Sequence, residues 1–118
     1  MQFIDALPQL PMDAQSTLAR FSGNTALLEK FVRRFPQDPT LSDLEAAVSA
    51  ENWVQAQRSA HTLKGVAANL GFNELAERCS ELVATLRAHD PAPAPRLMEE
   101  IRQAHRHILA ALAILDEA

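Results

Sequence analysis

Tyrosine is absent from this 118-residue chain, glycine occurs three times and aromatic residues make up 5% of it. A sheet draws on β-branched and aromatic residues and on turn glycines, so an all-β fold is excluded by composition. A single cysteine forbids an internal disulfide and fits a reducing compartment. Cations are too few to dominate: eleven Lys and Arg against fifteen Asp and Glu leave a net charge of −4. Such a surface has no bulk attraction for a phosphate backbone, which argues against nucleic-acid binding. The longest apolar run, Ile108 to Leu115, spans eight residues, too short for direct membrane insertion. Met1-Gln2-Phe3-Ile4-Asp5 lacks the basic segment and apolar stretch of a secretory leader. A cytoplasmic chain is therefore expected. What the chain has in quantity is Ala, Leu, Glu, Gln and Arg, with 47% apolar and 22% charged residues. That composition belongs to a globular helical domain, and the length suits one core spanning residues 1–118.

Residues 1–12 carry Pro8 and Pro11 and read as an irregular lead-in. Asp13 is the expected N-cap of a short helix over 14–21, and Asn24 caps the next after the Ser22-Gly23 break. Leu27, Leu28, Phe31 and Phe35 recur at helical spacing until Pro36, and Asp38-Pro39 reads as an N-cap followed by a first-turn proline. Leu41, Leu44, Ala47 and Val48 resume the stripe, so 24–50 is two helical pieces or one kinked rod. A third helix runs over 52–70 and stops at Gly71, a left-handed cap onto which Phe72 folds back toward Ala67. Asn73 is the expected cap of a fourth helix over 74–88. Residues 89–95, ending in Pro91-Ala92-Pro93-Ala94-Pro95, read as a loop. Leu97, Ile101, Ala104, Ile108, Leu112 and Leu115 stripe the last helix. These rods predict an all-α antiparallel four-helix bundle over about 24–116, with a short additional N-terminal helix.

The stretch that carries chemistry is Arg58-Ser59-Ala60-His61-Thr62-Leu63-Lys64-Gly65-Val66-Ala67-Ala68-Asn69-Leu70-Gly71. On a helical wheel Ala56, Ser59, Leu63, Val66, Ala67 and Leu70 group together, and His61 falls opposite their centre among Gln57, Arg58, Lys64, Gly65 and Ala68. A helical histidine is ordinarily a structural or surface residue without special chemistry. That reading leaves Gly65 unexplained, because a glycine inside a helix costs about 1 kcal/mol relative to alanine. One turn beyond His61 it removes bulk where a partner would approach, and Ala68 keeps the same lane low. Lys64 sets an ammonium within reach of an anion on the imidazole. Imidazole titrates near neutrality and forms covalent intermediates, and phosphoryl transfer depends on positioning and charge stabilisation.

Ala60-His61-Thr62-Leu63-Lys64-Gly65, Asn69-Leu70-Gly71, then Leu75, Cys79 and Leu82, resembles the signature of histidine-containing phosphotransfer (HPt) domains. Leu18-Ala19-Arg20-Phe21-Ser22-Gly23-Asn24 and Leu27 through Phe35 resemble the same family's first helices, so the likeness covers about residues 13–88. It implies a relay of two-component signalling, not an enzyme. His61 would accept a phosphoryl group from a receiver-domain aspartate and pass it to another. Lys64 would hold the phosphoryl oxygens, and Gly65, Ala68, Gln57 and Arg58 would line the partner's approach. The expected partners are response-regulator receiver domains and a hybrid sensor kinase, met by a monomer. Magnesium would reside on the receiver, leaving this chain without a cofactor, and no glycine-rich phosphate loop is present. Many relatives follow the leucine matching Leu82 with Glu or Gln, which reaches the histidine ring. Val83 stands there instead, so another group or solvent must orient His61.

His105 and His107 diverge on a helix and, with His89, complete no metal set; no metal site is expected. Cys79 lies on an apolar stripe and reads as core, Trp53 as packing against the bundle end, and Glu99, Glu100, Arg102 and Arg106 as a solvated face. Three other functions compete with this one. A phosphoacceptor domain of a chemotaxis-type kinase often has a second His near the place of Cys79. A receiver-sequestering module that is never phosphorylated has no need of an intact His61-x-x-Lys64-Gly65. A helical-bundle enzyme would need paired carboxylates.

Overall fold

The computed structural model describes residues 2–116, and every regular element in that range is helical. The expected all-α bundle is what forms. The seven α-helices are α1 (Phe3–Ala6), α2 (Ala14–Arg20), α3 (Thr25–Arg34), α4 (Thr40–Ser49), α5 (Trp53–Asn69), α6 (Asn73–Arg87) and α7 (Ala94–Leu112). Short connections make α4 to α7 an antiparallel bundle in which α5 packs on both α4 and α6, and α6 on α7. A 3₁₀ turn at Phe35–Gln37 links α3 to α4, so 24–50 is two helical pieces.

Caps explain most of the boundaries. Asp13 accepts from Ser16 N–H (3.3 Å), Asn24 from Leu27 N–H (3.0 Å) and Asn52 from Gln55 N–H (3.2 Å). At the end of α5, Phe72 N–H returns to Ala67 O (2.9 Å) and Gly71 N–H to Ala68 O (3.1 Å), with Gly71 at φ +78°. This is the Schellman arrangement, which satisfies carbonyls the helix leaves open. Gly71 is needed twice over. Its φ suits glycine, and an added Cβ would collide with Thr17 Oγ1 on α2. Asp13 N–H also bonds Gly71 O (3.3 Å), so this turn seats α2 on the end of α5. Phe72 is fully buried, its ring centroid 5.0 Å from that of Phe35.

Several boundaries depart from the sequence reading. Residues 1–12 are not an irregular lead-in: α1 and a 3₁₀ turn at Leu7–Gln9 bury Phe3, Ala6, Leu7 and Leu10. Those four residues have helical spacing, and Pro8 sits in the first turn of the 3₁₀ segment, where its missing N–H costs nothing. The 89–95 loop ends earlier than expected, because Pro93 is the N-cap residue of α7 and Pro95 lies in its first turn. Pro39 rather than Asp38 occupies the N-cap position of α4, while the Asp38 carboxylate accepts from Thr40 N–H (2.8 Å). Phe72, not Asn73, precedes α6, which begins at Asn73.

The core runs the length of the bundle, from Leu28, Val32 and Leu44 through Ala56, Ala60, Leu63 and Ala67 to Leu75, Cys79, Leu82 and Ile101. Alanines on the inner face of α5 let its neighbours approach closely, while the opposite face is left to solvent. Arg102 reaches from α7 to Glu45 of α4 (3.1 Å), and its neighbours Glu99 and Arg106 pair along the same face.

Candidate functional site

The packing of α5 decides where His61 points. Ala56, Ser59, Ala60, Leu63 and Ala67 are buried, and His61, on the opposite side, is exposed near the middle of the helix. No hydrogen bond or ion pair to the His61 ring exists among the described residues, so its nitrogens are open to solvent or to a partner. Thr62 Oγ1 turns back to Arg58 O (3.0 Å) and leaves the ring alone.

His61 borders a shallow pocket of about 230 Å³ that it shares with Gln57, Arg58 and Arg87. The first two were expected. Arg87, from the last turn of α6, was not. Two observations bring it in: α6 runs antiparallel to α5, and no carboxylate holds the Arg87 guanidinium among the described residues. Val83, whose place in relatives offers a ring-reaching side chain, is buried in the core. The next helical turn toward the C-terminus brings Arg87 to the histidine instead. The signal in the sequence is that i+4 step, a cation one turn beyond the valine that stands where relatives have a polar residue.

Lys64 lies outside this pocket, one turn along α5, half-buried and without an ion-pair partner among the described residues. Gly65 is exposed, and a Cβ built on it meets nothing within 4 Å. Ala68 is exposed one turn further. The histidine thus stands on a low surface with cations on both sides of it along α5 and one across from it on α6. The profile of the Hpt domain family matches residues 26–113. The chain belongs to the Hpt domain family. No match was found among curated proteins or among solved structures. Hpt domains act in histidine phosphotransfer of two-component signalling and interact with the receiver domains of response regulators. No described helix is long and apolar enough to cross a membrane.

The cysteine and the other histidines of this Hpt domain lie outside the His61 pocket. Cys79 is fully buried, and desolvation pushes its thiol up to about 12, which makes it inert as a nucleophile at neutral pH. His105 is half-buried with its ring 5.4 Å from that of Phe35, and burial lowers its pKa against the opposing pull of Glu45 and Asp38. His107 is exposed, 3.8 Å from Glu74, and His89 occupies the left-handed position that ends α6. No group of three or more His, Cys, Asp or Glu among the described residues could hold a metal ion. Trp53 lines a small hollow with Leu86 and Pro91 at the end of α6.

Proposed function

We propose that this Hpt domain is a phosphorelay intermediate and that His61 is its phosphoacceptor. The observation that carries the reading is an exposed imidazole, free of internal partners, facing a pocket with Arg58 and Arg87 and one turn from Lys64. An unprotonated ring nitrogen attacks the phosphorus of an aspartyl phosphate on a receiver domain. The P–N bond forms as the P–O bond breaks, and the aspartate carboxylate leaves with the electron pair. Return to a second receiver's aspartate runs the same exchange backwards. Charge spreads over the equatorial oxygens of the transferring group, and Lys64, Arg58 and Arg87 are the cations available to meet it. The magnesium and acidic residues of the reaction belong to the receiver.

Gly65 and Ala68 leave room for the receiver to close over the ring, and Gln57 lies on the pocket wall beside it. The test is incubation with a receiver domain carrying a radiolabelled aspartyl phosphate. Label is expected on the parent chain, acid-labile and base-stable as a phosphoramidate is, and absent from His61→Gln. Label persisting in His61→Gln would overturn the assignment.

A further inference from the structure

Transfer through His61 sets a condition on its proton. The nitrogen that attacks phosphorus must offer a lone pair, so in the neutral ring the proton has to sit on the other nitrogen. On an exposed helical histidine Nε2 is the outer nitrogen and Nδ1 the inner one, closer to the backbone. A receiver meets Nε2 first, and the proton then belongs on Nδ1. Which nitrogen keeps the proton is decided by where a hydrogen-bond acceptor stands. Val83 supplies none, being apolar and buried.

The pocket at the ring is lined by Gln57, Arg58, Arg87 and His61 itself. A guanidinium only donates, so neither arginine can accept from the ring. Among these neighbours Gln57 alone carries a side-chain acceptor, its amide Oε1. Gln57 precedes His61 by four residues, the step at which side chains on a helix face one another. Helical side chains also lean toward the N-terminus, which tips the imidazole toward Gln57. The same helix shows a glutamine spanning this step, because Gln55 Nε2 donates to Ser59 Oγ at 3.2 Å. Gln57 is half-buried, and its amide, like the His61 ring, has no hydrogen-bond partner among the described residues. Each is therefore available to the other. The rival hydroxyls are placed elsewhere: Thr62 Oγ1 is turned back to Arg58 O (3.0 Å), and Ser80 of α6 lines a separate hollow with Glu77 and Glu81.

We propose that Gln57 is the positioning residue of the His61 ring: its Oε1 accepts from Nδ1–H and fixes the tautomer that leaves Nε2 bare. This rests on the phosphorelay reading above. As Nε2 bonds phosphorus and the aspartate carboxylate leaves with the P–O electron pair, no proton moves, and the phosphorylated ring keeps its Nδ1 proton and gains positive charge. The Gln57 amide dipole faces that charge, so its hydrogen bond strengthens along the reaction and stabilises the transition state more than the ground state. The acceptor thus comes from the preceding turn of α5 instead of from α6. Being neutral, it does this without cancelling the cations around the ring, as a carboxylate in its place would.

The experiment uses the full chain labelled with nitrogen-15, in alkaline solution where an imidazole is neutral. Long-range proton–nitrogen correlation spectra read which ring nitrogen of His61 carries the proton, and His61→Gln identifies its signals. The parent should hold the Nδ1–H form. Gln57→Met, alike in length but without an acceptor, should revert to the mixture of a solvated imidazole, while Gln57→Glu keeps an acceptor oxygen and should keep Nδ1–H. Met and Gln are similar helix formers, so the fold should be unaffected, and circular dichroism melts check it. The fastest donor from a panel of receiver domains phosphorylated with acetyl phosphate then serves for kinetics. Gln57→Met should lower kcat about five- to tenfold and leave KM within about twofold. The same tautomer in the parent and in Gln57→Met overturns the assignment, as does an unchanged kcat. A tautomer shift in Ser80→Ala that Gln57→Met does not show would transfer the role to Ser80 and overturns it too. A parent chain that accepts phosphoryl from no receiver refutes the phosphorelay reading itself, a failure the spectra keep separate from a wrong choice of acceptor.

Discussion

Gly65 offers the sharpest separation of stability from function, because nothing in the folded chain requires it. It lies inside α5 with ordinary helical backbone, and a Cβ there meets nothing within 4 Å. Replacement by alanine should therefore return the helix-propensity penalty unopposed, a gain of close to 1 kcal/mol, with Gln gaining about half of that. For a chain of 118 residues, the alanine gain corresponds to a rise in Tm of about 3–5 °C. Receiver-dependent transfer should move the other way. The Gln side chain would stand one turn from His61 in the lane a partner must use, and displacing the reacting groups by even an ångström costs on the order of a hundredfold. Urea denaturation followed by circular dichroism gives the first quantity, and rapid-quench transfer from a phosphorylated receiver gives the second. Phosphoramidate labelling of His61, which needs no protein partner, should be unchanged. A Gly65→Gln protein that is stabilised and still transfers at the parent rate would refute the argument that the glycine exists to admit a partner.

Lys64→Ala and Arg87→Ala should fold normally and bind an unphosphorylated receiver nearly as well as the parent. Each should slow transfer, or shorten the life of phospho-His61, by about 1–3 kcal/mol of lost charged hydrogen bonding. Calorimetry paired with rapid quench decides this, and collapsed affinity with intact transfer would make them docking residues. Gly71→Ala should destabilise by about 2–4 kcal/mol, from the left-handed φ and the collision with Thr17. Part of that loss should be recovered in the Thr17→Ala background, so full additivity in a double-mutant cycle would remove the steric explanation. His105 titrates against stability. Its folded pKa is lowered by burial, so the unfolded chain takes up the proton first, near the ordinary value of 6.5, and stability falls as pH drops through that value. His105→Gln should show a flatter urea-midpoint profile between about pH 7.5 and 5, and an equal slope in both proteins would contradict the assigned cause.

The parts of this molecule that were legible in its sequence are those set by local chemistry. Asp13 and Asn24 cap because a short polar side chain before an apolar repeat satisfies free N–H groups. Gly71 ends α5 because no other residue suits both its φ and its contact with α2. His61 points outward because its neighbours on the wheel do. What was misread depends on tertiary neighbours or on weighing two local signals against each other. Pro8 and Pro11 suggested an irregular lead-in, yet the spacing of Phe3, Ala6, Leu7 and Leu10 gave the N-terminal turns a face to bury. Pro95 suggested loop, yet proline is favoured in a first helical turn. Leu27 and Phe31 shared the helical spacing of Leu28 and Phe35, but only Leu28, Val32 and Phe35 face the core. Arg87 joined the site through the antiparallel pairing of α5 with α6, a contact that no local pattern contains.

The net charge of −4 argued against nucleic-acid binding, because the average over the surface has no attraction for a phosphate backbone. The distribution points elsewhere. Arg33 with Glu29, Arg78 with Glu81, Arg96 with Glu100, and Arg102 and Arg106 with Glu99 and Glu45 cancel one another within a few ångströms. Exposed pairs of this kind add little stability, typically up to about 1 kcal/mol each. Their larger consequence is to mute the field over the surfaces they occupy, because a paired charge is a short-range dipole. Lys30, Arg34, Arg58, Lys64 and Arg87 have no such partner among the described residues, and Arg58, Lys64 and Arg87 lie close around His61, where their charge acts within a Debye length. In the phosphorelay reading proposed above, Arg58, Lys64 and Arg87 are the positive charges that a phosphoryl group at His61 would meet, and their availability depends as much on where arginines are neutralised as on where they occur.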